Sequence, residues 1–265
     1  MSSSTHEPTG WTRILLNKVP EVTLAFWVIK VMSTTVGETG ADYLAVHVGL
    51  GTAMTDGLMA VLLLISLALQ FHVDRYVPWR YWPAVVLVSV VGTQITDFLT
   101  DELEVSLYVS TTVFAAALAV TFVVWYAIER TLSIRTIRTP RRELFYWTAI
   151  LFTFALGTAA GDLATEELQL GFQLGIAVFG AMIALVVLAY RLGADAVLCF
   201  WIAYILTRPL GASLGDFLSQ PPSYGGLGLG TVLTSAFFLL VIVVLVAYLS
   251  VGRRNDPTRT AGELA

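Results

Sequence analysis

The chain holds a single cysteine, Cys199, set in an apolar run. No disulfide framework can form from it, and no cysteine-based metal site is available. Histidine is scarce as well, with three residues. The usual imidazole ligands of zinc and copper are therefore nearly missing. Charge is thin: 13% of residues are Asp, Glu, Lys or Arg, against about 25% in soluble domains. Residues 1–20 are polar and have no apolar core of a cleavable leader, so the first apolar segment is expected to direct insertion itself. A Walker loop, a Rossmann glycine pattern, a nucleophile elbow and a His-rich metal motif are all lacking. The expectation is a protein that is not an enzyme, carries no resident cofactor and does not bind nucleic acid.

What the chain has in excess is apolar sequence. Hydrophobic residues make up 57% of it, and the mean hydropathy is +0.77. Eight apolar stretches are expected at about 22–43, 53–72, 82–100, 106–128, 144–163, 170–190, 194–217 and 229–250, each near the ~20 residues a spanning helix needs. The predicted fold class is all-α, a polytopic membrane protein with eight transmembrane helices. A polar tail over 1–19 and another over 251–265 flank a single membrane domain at 20–250.

One pattern is written four times: an aromatic residue, Trp, nine residues, Gly, four residues, Asp. The copies are Phe26-Trp27, Gly37, Asp42; Tyr81-Trp82, Gly92, Asp97; Tyr146-Trp147, Gly157, Asp162; and Phe200-Trp201, Gly211, Asp216. The repeats run at about 20–75, 76–130, 140–192 and 194–250, and such internal periodicity governs the fold. Each repeat is expected to be a helical hairpin, with the motif on its first helix and a plain apolar second helix. Every repeat contains an even number of spans, so the four motif helices point the same way. The repeats are parallel, related by an axis along the membrane normal.

Basic residues orient the chain. Thirteen of the fifteen Lys and Arg fall at one end of the predicted spans, among them Arg13, Lys18, Arg75, Arg80, Arg191 and the 130–142 cluster. The opposite loops carry Asp101, Glu102, Glu104, Glu166 and Glu167 instead. Both termini are expected to be cytoplasmic. The basic 130–142 stretch is the longest linker and divides the repeats into two pairs.

From Trp to Asp is about 22 Å of helical rise and about 60° of rotation. The four Trp residues are expected to anchor at the cytoplasmic interface. The glycines let backbones approach, or let the helix unwind. The four aspartates fall at one depth, in the outer third of the membrane, where carboxylates are costly unless the setting is wet or internal. Further oxygen ligands accompany them: Glu38, Thr93 and Thr158 one turn before the Asp, with Thr39, Gln94 and Ser213 adjacent. Carboxylate, hydroxyl and amide oxygens without thiolate or imidazole suit hard cations. Lys30 and Arg208 break the charge pattern, and both are expected to compensate motif carboxylates when no cation is bound.

The stretch Lys18-Val-Pro-Glu-Val-Thr, continuing through Phe26-Trp27 to Thr35-Val36-Gly37-Glu38-Thr39-Gly40-Ala41-Asp42-Tyr43-Leu44, resembles a bacterial membrane-protein family. That family has four tandem two-helix repeats and is catalogued as a repeat of unknown function, often labelled membrane-anchored. The resemblance covers residues 18–250. It implies the repeat fold and a bacterial inner-membrane location, and it brings no ligand or catalytic residue. A looser likeness is to cation exchangers with an acidic Gly-Asp motif, seen here as Gly161-Asp162 and Gly215-Asp216. In this chain the repeats are parallel and the rest of that motif is absent.

Two functions are carried forward. The first is a transporter of a hard cation, Mn²⁺ or another divalent ion, with a proton as counter-ion. Asp42, Asp97, Asp162, Asp216 and Glu38 would form its site, and its partners would be the lipid bilayer and the small cation. The second is a non-transporting scaffold or accessory subunit in which the aspartates hold the repeats together.

Overall fold

The computed structural model describes residues 17–42 and 51–254, and the side chains of Glu38, Ala41, Asp42, Glu166 and 252–254 lie outside that description. Eight long helices follow one another: α1 Leu24–Asp42, α2 Thr52–Phe71, α3 Pro78–Asp97, α4 Leu107–Glu129, α5 Pro140–Asp162, α6 Gly171–Arg191, α7 Ala196–Ser219 and α8 Thr231–Arg254. No strand occurs among the described residues. Seven of the helices are long and apolar enough to cross a membrane. The exception is α1, whose apolar part is Leu24–Gly37. Lys30, Glu38 and Asp42 interrupt its hydropathy.

Helix starts are set locally. Ser106 accepts a hydrogen bond from the Val109 amide, Thr139 from Arg142, and Asp195 from Leu198. These are N-caps, and Pro140 sits in the first turn, where its missing N–H costs nothing. Two helix ends match each other. After Asp97 and after Asp162 the helix widens into a π turn, Phe98–Glu102 and Leu163–Glu167. Two residues beyond each turn, Glu104 and Gln169 adopt left-handed φ values of 53° and 55°.

The motif helices α1, α3, α5 and α7 form a closed ring: α1 packs on α3, α3 on α5, α5 on α7, and α7 back on α1. The even helices lie outside it. More than half of the apolar window in α3, α5 and α7 is buried, against under a quarter in α2, α4, α6 and α8. Outer residues such as Leu64, Val123, Leu185 and Leu240 are exposed. In water this apolar belt would far exceed the patches that soluble proteins tolerate.

The packing unit differs from the expected hairpin. Each outer helix packs on the motif helix of the following repeat: α2 on α3, α4 on α5, α6 on α7, and α8 on α1. Among the described residues the two helices of one repeat meet only slightly. Connection length explains this in part. The turn Leu192–Asp195 leaves α6 no choice but to lie beside α7. Between α3 and α4 the π turn Phe98–Glu102 and residues 103–106 make a longer connection, which allows a sideways step.

The 130–142 linker does not separate two halves. It is folded against the basic end of the ring, with Ile134 and Ile137 buried. Trp201 Nε1 donates to Leu132 O at 3.1 Å. Lys18 and Val19, at the end of the expected polar tail, are buried, and residues 1–16 lie outside the described ones.

Candidate functional site

Each motif glycine faces the next helix of the ring. A Cβ on Gly37 would lie 2.7 Å from Ser89 Cβ, and one on Gly92 2.7 Å from Phe154 Cβ. On Gly157 it would lie 2.4 Å from Arg208 Cβ, and on Gly211 2.8 Å from Thr34 Cβ. The residue met is always the one three places before the next repeat's glycine. The same hand-over runs through the aromatics. Phe26 meets Trp82 at 5.7 Å between ring centroids, Tyr81 meets Trp147 at 5.5 Å, Tyr146 meets Trp201 at 6.3 Å, and Phe200 meets Trp27 at 5.7 Å. Two independent sets of contacts thus close the same four-membered cycle.

This corrects the expected role of tryptophan. Trp82, Trp147 and Trp201 are buried, Trp201 partly against Phe122 and Trp125 of α4, and Trp27 is partly buried. Trp82 Nε1 donates to Tyr76 Oη at 2.9 Å. Each aromatic pair adds about 0.5–1.5 kcal/mol beyond its buried area. Their amphipathic rings are used for packing between repeats rather than for contact with lipid headgroups.

Along the ring axis the side chains recur at i, i+4 spacing and stack in layers. The first layer, at the basic end, is Phe26, Tyr81, Tyr146 and Phe200, with Tyr81 and Tyr146 hydroxyls 2.5 Å apart. The second is Lys30, Val85, Ile150 and Tyr204. The third is Thr34, Ser89, Phe154 and Arg208. All twelve are buried. The fourth holds Thr93, Thr158 and Ala212, also buried, in register with Glu38. The fifth is the row of motif aspartates.

Contacts across the ring prove that these layers meet at the axis. Lys30 Nζ lies 4.2 Å from the Phe154 ring centroid and 4.5 Å from that of Tyr204. It donates to Thr34 Oγ1 at 3.2 Å. Lys30 is 1% exposed and makes no ion pair among the described residues. Two ring faces and a hydroxyl surround its ammonium, and a desolvated cation–π contact is worth ~2 kcal/mol. Nor does Lys30 snorkel outward. Arg208 is fully buried, and its Nη2 donates to Thr93 Oγ1 and to Thr158 Oγ1, the latter at 2.7 Å. One guanidinium therefore joins α7 to α3 and α5.

Asp97, Asp162 and Asp216 are all partly exposed, at one end of these layers. None of the three is without a partner. Among the described residues no three His, Cys, Asp or Glu side chains gather closely enough to hold a metal ion. The side chains of Asp42 and Glu38 lie outside the described ones. Of the flanking candidates, Thr39 Oγ1 donates to Thr35 O at 3.0 Å and sits 2.6 Å from Ser235 Oγ on α8. Gln94 and Ser213 are buried without a hydrogen-bond partner for their side-chain polar atoms.

A family model described as Repeat of Unknown Function (DUF347) matches residues 25–76, 80–131, 145–193 and 199–255. The chain belongs to this repeat family. No curated protein and no solved structure matches it. Each DUF347 repeat is one motif helix plus the outer helix that follows. As a unit of sequence it is therefore offset by one helix from the unit of packing.

One cluster escaped the reading of these repeats. At the basic end Lys18 Nζ and Glu143 Oε2 are 2.7 Å apart, both buried. Gln70 Nε2 donates to Glu143 Oε1 at 3.1 Å, and Lys18 Nζ also donates to Phe71 O at 3.2 Å. Glu143 is fourteen residues before Gly157, where the other repeats have Thr23, Pro78 and Val197. The cluster has no counterpart in the repeat pattern, and a lone acid beside Arg141 and Arg142 was its only signal.

Proposed function

We propose that this is a multi-pass membrane protein that transports a cation along the axis of its inner four-helix ring. One observation carries the proposal: Lys30 and Arg208 are wholly buried on that axis, beneath a row of partly exposed aspartates. Charged side chains inside membrane bundles are costly, and they mark ion pathways, proton relays and counter-ions. Carboxylates at the mouth attract cations, while Thr93 and Thr158 supply oxygens beside Arg208. In this reading the protein is open toward the aspartates and closed at the aromatic layer. Both termini face the cytoplasm, the membrane is a bacterial inner membrane, and no covalent chemistry is assigned.

The substrate class is a hard cation, with Mn²⁺ the first ion to try and a proton as counter-ion. Asp97, Asp162 and Asp216 do not converge into a dehydrated metal cage. A hydrated ion, or one completed by Asp42 and Glu38, fits this arrangement better.

The test is thermal stability of the purified protein in detergent, across Mn²⁺, Mg²⁺, Ca²⁺, Na⁺ and pH. A form with all four motif aspartates changed to Asn is measured beside it. A ligand bound only by the folded state raises stability by RT ln(1 + [L]/Kd), about 2.7 kcal/mol at a hundredfold excess over Kd. A cation-specific rise that vanishes in the Asn form supports transport. No rise with any ion, and equal stability of the Asn form, removes it.

A second reading is the non-transporting scaffold. Three successive axial layers are packed shut, as a structural bundle requires. Under that reading the Asn form loses stability and no cation affects either protein.

A further inference from the structure

The cluster at the basic end is wired differently from everything else in the ring. Asn17–Val19 is a short bent strap ahead of α1, and it is tied to three other segments. The Lys18 amide donates to Ile137 O in the linker at 2.9 Å, and the Tyr76 amide donates to Asn17 O at 2.9 Å. The Lys18 side chain reaches Phe71 O at the end of α2 and Glu143 at the start of α5. Gln70 completes the cluster by donating to both Glu143 Oε1 and Lys18 O. These groups lie at the ring end closed by Phe26, Tyr81, Tyr146 and Phe200. Tyr76 joins strap and plug, because its ring packs 5.5 Å from Tyr81 and its hydroxyl accepts from Trp82.

We infer that the Asn17–Val19 strap is the lock of the inner gate, and that the path opens to the basic side only when the Lys18–Glu143 pair parts. The inference rests on the transport reading above. Three features support it. The aromatic plug is held by ring contacts and one hydroxyl pair, which can re-form in another packing. By contrast, the strap is held by one ion pair and by specific hydrogen bonds, and these tie the linker and the end of outer helix α2 to the start of ring helix α5, segments that must separate if the helix ends splay. Furthermore, among the described residues Lys18–Glu143 is the ion pair with both partners buried, whereas the Arg141 and Arg142 pairs with Glu129 have their arginines partly or largely exposed, so the lock acts at the α2–α5 side. A buried ion pair is a two-position device: paired and dry when shut, separately hydrated when open.

The test reads access to the axis from the basic side. Val85→Cys, in a Cys199→Ser background, places one thiol in the layer next to the plug. A membrane-impermeant methanethiosulfonate is applied to inside-out membrane vesicles. With the strap intact the thiol is expected to react slowly. Lys18→Met combined with Glu143→Leu removes the lock without leaving an unpaired charge, and labelling is expected to rise tenfold or more. The reversed pair, Lys18→Glu with Glu143→Lys, is expected to restore much of the protection.

Circular dichroism and monodisperse elution check that each protein is folded. If the neutral pair fails to fold, Gln70→Met replaces it, and a severalfold rise is expected. Unchanged labelling in a folded lock-free protein overturns the inference. The cation-dependent stability shift is measured on the same preparations. If it persists while labelling stays flat, the lock fails and the transport reading stands. If it is absent while labelling rises, the gate stands and the cation reading fails.

Discussion

Adding one methyl group at a motif glycine tests the ring directly. Gly92→Ala would put a Cβ 2.7 Å from Phe154 Cβ and 3.3 Å from the Ala155 amide nitrogen. Gly157→Ala would put one 2.4 Å from both Cβ and Cγ of Arg208. Neither obstacle is a free side-chain tip, so two helices must move apart. Overpacking of this kind costs about 1–3 kcal/mol. Alanine is also the better helix former, by up to ~1 kcal/mol, so a control is needed. Gly180, inside α6, meets nothing within 4 Å, so Gly180→Ala reports propensity alone and is expected to stabilise. The difference between a ring site and this control is the packing cost, roughly 2–10 °C in melting temperature for a chain of this size. The assay is thermal unfolding in detergent. Gly211→Ala is the decisive variant, because it sits where the last repeat closes on the first. If Gly211→Ala melts level with Gly180→Ala while Gly92→Ala does not, the ring is open there and the fourfold argument is refuted.

Other outcomes follow from named contacts. Thr158→Val keeps the shape but removes an acceptor of Arg208; a charge-assisted hydrogen bond is worth about 1.5–3 kcal/mol, read as a lower melting temperature. Glu143→Gln leaves Lys18 buried without its counter-charge and is expected to cost ~3–5 kcal/mol. Lys18→Met with Glu143→Leu should cost much less than the two single changes added together, as a double-mutant cycle would show. Trp82→Phe loses the bond to Tyr76 and should cost about 1 kcal/mol, with tryptophan fluorescence reporting whether the ring layer stays dry.

Much of the architecture could be read before any coordinates. The eight apolar runs became eight helices, because length and hydropathy decide that question locally. Parallel motif helices followed from counting spans. What escaped was every property that depends on which helix a helix touches. Glycine spacing says that backbones approach, but not that Gly211 reaches Thr34 at the far end of the chain. Tryptophan looked like an interfacial anchor because amphipathicity is a property of the residue. Burial is a property of the ring around it. Arg208 and Lys30 were conspicuous in sequence, yet Thr93 and Thr158 beside Arg208, and the Phe154 and Tyr204 rings beside Lys30, lie on other repeats. The offset pairing had one visible clue, the four-residue turn Leu192–Asp195. Glu143 had almost none, since an acid near several arginines is usually solvated.

The offset between repeat and packing unit bears on how the chain reaches its final state. Helix α1 precedes the other seven in the chain, and its apolar stretch, Leu24–Gly37, is the shortest of the eight, with Lys30 near its middle. Its neighbours in the finished ring are α3, α7 and α8, and two of these are the last to be made. Until α5 and α7 are made, α1 therefore lacks the rings of Phe154 and Tyr204 that shelter its ammonium. Its insertion is provisional until the C-terminal helices arrive and close the circle. The four-helix ring is therefore complete around Lys30 only when α7 is in place beside α1, with α8 packed on its outer side.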